Sequence, residues 1–160
     1  MQTQASPRRL MALAFAMSLG AAISLGITRF SYGLMLPPMR HDLGWSYALA
    51  GAMNTANAGG YFLGALVTPA LMRRFGASVV LMAGAALASG LMVLSGFLTI
   101  VQPLLVLRCL SGVASALLFV AGGLLAARLG ALDPLRAGLL LGVYYGGTGI
   151  GIALSSCVVP

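Results

Sequence analysis

The sequence predicts an all-α integral membrane protein with five transmembrane helices. Of its 160 residues, 60% are hydrophobic and 7% are charged, whereas soluble domains are about 45–50% apolar and about 25% charged. The mean hydropathy is +1.02, and the chain divides into apolar runs that reach the roughly 20 residues needed to cross a bilayer. The spans must be helical, because an open sheet cannot satisfy its backbone hydrogen bonds in lipid.

The first apolar run covers residues 10–36 and lies between Arg8-Arg9 and Pro37-Pro38. Proline interrupts helices, so the span is predicted to end there. A secretory signal peptide is the alternative, because a basic pair precedes the run. The run is longer than a signal-peptide core and four more runs follow it, which favours a span.

Four further spans follow at short intervals. Ser46 is a candidate N-cap for the second, and polar turns separate the later ones. The predicted spans after the first are residues 47–71, 77–98, 104–127 and 137–159. Residues 10–160 therefore form one membrane domain, preceded by residues 1–9.

The arginines outside the spans set the predicted orientation. Only Arg40 lies on one side, whereas six arginines lie on the other, at positions 8, 9, 73, 74, 128 and 136. Short loops rich in Arg stay in the cytoplasm, so residues 1–9 are predicted to be a cytoplasmic N-terminus. The net charge of +7 is thus explained by the arginines that orient the spans in the membrane, and a nucleic-acid partner is not expected.

Polar residues within the spans are the candidate site. Arg29 and Arg108 interrupt apolar runs, where a charge costs about 2.5–3.5 kcal/mol on the insertion scale and requires a reason. By helical rise, both lie at about the depth of the asparagines of the second span. The predicted substrate cavity is lined by Arg29, Tyr32, Asn54, Asn57, Arg108 and Ser111. The alternative is that the arginines extend towards the interface and the asparagines join helices.

Small residues recur four apart within the spans, a spacing that allows helix backbones to approach closely. Three such rows are Gly84 with Ala88, Gly112 with Ala116, and Gly138 with Gly142 and Gly146. The dense run from Gly146 to Gly151 predicts packing, with a bend or sliding surface as the alternative.

Groups that an enzyme would need are missing from the predicted spans. The two acids, Asp42 and Asp133, and the single histidine, His41, lie in predicted loops. A hydrolase needs a nucleophile with a nearby base, and a metal site needs clustered ligands. We therefore expect no enzyme activity, no metal and no cofactor.

The order of these features resembles the amino-terminal part of a major facilitator superfamily (MFS) transporter. Residues 32–46 are similar to the segment that ends the first span in that family, and Arg74-Phe75-Gly76 matches part of its turn after the second. Arg73 replaces the usual acid of that turn. Arg108 with Gly112 resembles an intramembrane pair linked to energy coupling, and the glycines of the fifth span resemble an antiporter segment. Residues 29–33 resemble the bacterial YbfB/YjiJ-type branch.

This resemblance implies a secondary active transporter that moves a small solute by alternating access, coupled to an ion or a proton, in the bacterial inner membrane. Five spans correspond to most of a six-helix half, so the remainder of the transporter and the lipid bilayer are expected partners. Two arginines without acids favour an anionic solute. The resemblance implies coupling or conformational roles for Arg73, Arg74, Gly76, Arg108, Gly112, Gly146, Gly147 and Gly149. The alternative is a non-transporting five-span subunit that acts through helix contacts with a partner.

Overall fold

The computed structural model describes residues 6–158, which form a bundle of five helices joined by short turns. A 3-10 turn at Pro134–Arg136 leads into the last helix. In chain order the helices are α1 (Pro7–Asp42), α2 (Tyr47–Phe75), α3 (Ala77–Ser95), α4 (Val101–Leu132) and α5 (Ala137–Val158). Residues 1–5 of the predicted N-terminus and the end of the fifth predicted span lie outside the described residues.

Within residues 6–158, four helices are long and apolar enough to cross a membrane. They are α1, α3, α4, and α5 together with the 3-10 turn that precedes it. Helix α2 is long enough, at 29 residues, but more polar, because it carries Asn54, Thr55 and Asn57. Its start is as predicted, since Ser46 Oγ accepts a hydrogen bond of 3.1 Å from the Leu49 amide.

Helix α1 has an irregular middle. Its first part, Pro7–Ala21, and its last part, Tyr32–Asp42, are α-helical, whereas Ala22–Ser31 is π-helical. The prediction that Pro37-Pro38 would end the helix was wrong, because both prolines lie within its last part. Both prolines are exposed. A proline ring inside a helix crowds the carbonyl four residues earlier, which for Pro37 is that of Gly33. No other helix lies close to Gly33, because an added Cβ there would meet no neighbour.

Helix α4 is the centre of the bundle, with buried residues on several faces. Helix α2 crosses it closely, because a Cβ on Gly60 would run into the Cys109 carbonyl and one on Gly112 would run into the Asn57 carbonyl. Gly112 and the fully buried Ala116 thus pack as predicted.

The other side of α4 receives α3, again through small residues. Gly84 lies against the backbone of Leu118, and Ala88 is fully buried, so this predicted row is also confirmed. The polar turn predicted to follow residue 127 begins later, because α4 continues to Leu132. It ends before Asp133-Pro134, as expected where a proline disfavours helical geometry in the preceding residue.

A second close pair joins α1 to α5. A Cβ on Gly147 would run into the Ser18 carbonyl, and Gly151 lies against Ala22 and Gly26. No helix of the described residues packs on the predicted row of residues 138, 142 and 146, because an added Cβ would meet nothing there. Helix α5 is also unbroken through its glycine run, so the bend is not observed.

Candidate functional site

Hydroxyl groups fix α1 against α4 near the middle of both helices. Ser24 Oγ donates to the Ser115 carbonyl at 2.9 Å, and Thr28 Oγ1 donates to the Ser24 carbonyl at 2.5 Å. The Thr28 and Ser115 hydroxyl oxygens are 3.2 Å apart. Sequence reasoning missed Ser24 and Thr28, although their spacing of four places them on one helix face.

Arg108 lies directly beside these hydroxyls, where its side chain is held from two sides. Its Nη1 donates to the Thr28 carbonyl at 3.4 Å, and its guanidinium carbon is 3.7 Å from the centroid of the Tyr32 ring. The Arg108 carbonyl accepts a 3.0 Å hydrogen bond from Asn57 Nδ2. Only 4% of Arg108 is exposed, so the charge is buried between helices.

One edge of the Arg108 guanidinium has no partner within the described part of the chain. Both Nε and Nη2 are buried and make no hydrogen bond, and the Tyr32 hydroxyl is in the same situation. A buried donor without a partner costs about 1–3 kcal/mol, and more when it is charged. Each of these three groups could therefore donate one more hydrogen bond if an acceptor came within reach.

A cavity of about 400 Å³ lies between α1, α3 and α4 and is lined by Arg108, Tyr32 and Ser111. Most of its remaining wall is apolar, and the polar exceptions include Thr28 and Ser31 from α1. Ser31 Oγ also donates to Ser155 Oγ at 3.0 Å, which links this side of α1 to α5.

Arg29 faces a different space. It lines a groove of about 450 Å³ between α1 and α2, together with Asn54, and both residues are exposed. Arg29 and Tyr32 are three residues apart, yet line different spaces. The π-helical segment contains Arg29 and ends just before Tyr32. A π-helix has more residues per turn than an α-helix, so two residues three apart point in more different directions than they would in an α-helix.

The structure therefore separates the predicted cavity into two spaces. Three of the six predicted residues line the cavity of Arg108, and two line the groove of Arg29. The sixth, Asn57, is buried and binds the Arg108 carbonyl, so it lines neither. The six residues predicted to line one cavity therefore do not share a single cavity.

The candidates for a conformational role also fall into two groups. Arg73 and Arg74 lie exposed at the end of α2, before the turn at Gly76, whose φ is +87°. Arg74 stacks on the Phe75 ring at 5.2 Å. Gly112 and Gly147 are at helix contacts, whereas a Cβ on Gly146 or Gly149 would meet no neighbour.

Neither acid of the described residues forms an ion pair with an intramembrane arginine, although Asp42 lines the same cavity as Arg108. Asp42 is 3.3 Å from His41, and Asp133 is 3.9 Å from Arg136. Over residues 6–158, no group of three His, Cys, Asp or Glu side chains could hold a metal ion.

Comparison with known proteins places this helical bundle in a family. A family model described as "Uncharacterised MFS-type transporter YbfB" matches residues 21–160. Among curated proteins, none matches the chain. The matched region contains the cavity, the groove and all five helices except the beginning of α1. The chain therefore belongs to the YbfB-type family of MFS transporters, a family of membrane transporters and not of enzymes.

Proposed function

We propose that this protein moves a small anionic solute across the membrane by alternating access, as a secondary active transporter coupled to an ion or a proton. Family membership supports transport over the hypothesis of a non-transporting subunit. The observation that carries the choice of solute is the buried Arg108, whose Nε and Nη2 have no partner among the described residues.

The unpaired charge of Arg108 supports an anion, although Asp42 also lies in the cavity wall. A buried cation is tolerated when an anion or several hydrogen bonds compensate it, and Arg108 has one long hydrogen bond and one aromatic contact. An anionic solute would supply charge-assisted hydrogen bonds that are about twice as strong as neutral ones. Ser111 and Tyr32 line the same cavity and are proposed to orient the solute.

The groove of Arg29 and Asn54 has a proposed role on the solute pathway. Transporters of this kind bind their solute between two helical units near the membrane midplane. An exposed arginine at that depth is suited to attract an anion before it reaches the buried cavity. The turn of Arg73, Arg74 and Gly76, together with the helix contacts at Gly112 and Gly147, is proposed to take part in the conformational change.

The proposed location is the bacterial inner membrane, with the start of α1 on the cytoplasmic side. Helices α1, α3 and α5 begin at the membrane face where α2 and α4 end, because consecutive spans alternate in direction. Arg73 and Arg128 lie near that face, as does Arg136 at the start of α5. The positive-inside rule supports this orientation.

Uptake by proteoliposomes tests the proposal. The protein is reconstituted and offered radiolabelled small carboxylates, with and without an imposed pH gradient. We expect accumulation that Arg108→Ala reduces about tenfold or more, the loss of one charge-assisted contact. Arg128→Ala, an exposed change on the same helix, is the matched control. Normal transport by both Arg29→Ala and Arg108→Ala would remove these residues from the solute pathway, and absence of any uptake would favour the partner-subunit hypothesis.

A further inference from the structure

We propose that the ligand of the Arg108 cavity is a monocarboxylate with an apolar tail, such as a short fatty acid. This inference deepens the proposed function, on which it rests for the claim that the bound molecule is transported. Its evidence is the geometry of the unpartnered guanidinium edge, the composition of the cavity wall and the separation of the two arginines.

The free edge of Arg108 selects a planar anion with two oxygens. In a guanidinium, Nε–H and the adjacent Nη2–H point in the same direction, and Nη1 lies on the other side. Nη1 is the nitrogen that binds the Thr28 carbonyl, so the edge that remains is the complete pair of Nε and Nη2. Such a pair binds one carboxylate through two parallel hydrogen bonds.

Tyr32 holds this edge in place. Its ring centroid is 3.7 Å from the guanidinium carbon, so the ring covers one face of the guanidinium. The Tyr32 hydroxyl is buried without a partner and belongs to a residue of the same cavity wall. It is therefore available as a third donor for an oxygen of the ligand.

The wall beyond the arginine is suited to an apolar tail. It includes Met35 and Met39 from α1, Met92 from α3, and Leu104 from α4. Methionine is flexible and polarisable, and it adapts to apolar ligands of differing shape. A cavity of about 400 Å³ also lies within the range typical of small-molecule sites, roughly 300–1,000 Å³.

Two observations favour one carboxylate over two. Arg29, the other intramembrane cation of the described residues, lines a separate groove and is not in the wall of this cavity. The wall instead includes Asp42, at the far end of α1, and a second carboxylate near it would be repelled. One carboxylate of a dicarboxylate would thus pair with Arg108, and the other would be repelled by Asp42.

Binding to the purified wild-type protein is the first experiment, because it needs no variant that might misfold. The probes are hexanoate, its uncharged analogue hexanamide and the dicarboxylate adipate. The single tryptophan, Trp45, packs in a cluster with Tyr32 and Met39, so its fluorescence is a suitable signal, with calorimetry as the check. We expect hexanoate to bind about tenfold or more tightly than either analogue, as the loss of a charged contact predicts.

The tail is tested by a series of carboxylates. Affinity should rise about fourfold per methylene from butyrate to hexanoate, since each buried methylene contributes roughly 0.8 kcal/mol. A flat series would overturn the apolar-tail part of the proposal.

The arginine is tested by Arg108→Lys, which keeps the charge but removes the paired donors. We expect about a tenfold or greater loss of hexanoate affinity, and no change in Arg128→Lys on the exposed end of the same helix. Equal binding of hexanoate and hexanamide, or no hexanoate binding at all, would overturn the proposal.

Failure of this inference can be distinguished from failure of the proposed function. Tight hexanoate binding without uptake in proteoliposomes would support the carboxylate site and refute transport of that ligand. Uptake of another anion that Arg108→Ala abolishes, without hexanoate binding, would support transport and refute the monocarboxylate assignment.

Discussion

Gly26 of α1 and Gly151 of α5 meet backbone to backbone. A Cβ on Gly26 would lie 2.6 Å from the Gly151 Cα, and one on Gly151 would lie 2.9 Å from the Gly26 Cα. Neither position leaves room for a methyl group. Close approach of this kind is how membrane helices associate, because lipid offers no hydrophobic drive between them.

The first prediction is that Gly151→Ala lowers the free energy of unfolding by about 1–3 kcal/mol, the usual cost of overpacking. Gly149→Ala is the matched control two positions away, where an added Cβ meets nothing and a better helix former adds up to about 1 kcal/mol. Unfolding in mixed micelles titrated with SDS measures both. Equal stability of the two variants would contradict the observed contact.

The second prediction concerns the turn between α2 and α3. Gly76 has φ +87° and ψ 149°, a conformation essentially restricted to glycine, and another residue held there costs about 1–3 kcal/mol. We expect Gly76→Ala to lower the thermal unfolding temperature in detergent. Gly96→Ala should have little effect, because Gly96 has φ −69°; a similar loss there would indicate that the cause is not backbone conformation.

The third prediction separates two asparagines of one helix. Asn57→Ala removes the 3.0 Å hydrogen bond to the Arg108 carbonyl and should cost about 0.6–1.7 kcal/mol, as interhelical hydrogen bonds in membranes do. Asn54→Ala should leave stability unchanged, because Asn54 is exposed in the groove. SDS titration of the two variants decides, and a larger loss for Asn54 would reverse this assignment.

The fourth prediction uses neighbouring tyrosines on α5. Tyr144 is 1% exposed and its hydroxyl donates to the Phe119 carbonyl at 2.8 Å, so Tyr144→Phe should destabilise by about 1 kcal/mol. Tyr145 is 48% exposed, and Tyr145→Phe should be neutral. Thermal unfolding of both proteins provides the comparison, in which equal melting temperatures would argue against the buried hydrogen bond.

The helices were predictable because apolar runs and polar turns follow directly from the cost of exposing charge to lipid. The N-cap at Ser46 was predictable for a similar local reason, since its side chain satisfies an amide at the start of α2. Rules based on the local sequence failed to predict helix ends where the surroundings of a residue determine whether the helix continues. Pro37 lies inside a helix and Arg128 continues α4, and both are exposed, so neither residue has to fit against another helix.

The candidate site was predictable in its residues but not in its arrangement. Hydropathy identifies Arg29 and Arg108 as exceptional, whereas the face that each presents depends on how its helix is wound and packed. The π-helical segment of α1 gives no signal in hydropathy. The glycines of α5 show the same limit, because a spacing of four fits Gly146 and Gly147 equally well and only the partner helix selects Gly147.

The pairing of α1 with α5 has a consequence for biosynthesis. Gly26 and Gly151 are 125 positions apart in the sequence, and ribosomes add about 5–20 residues per second. Helix α1 therefore enters the membrane roughly 6–25 s before its glycine-rich partner is made. Until then its Ser18 and Gly26 face has lipid or the insertion machinery as its neighbour. Helix α1 thus gains its contact with Gly151 only after α5 has been inserted.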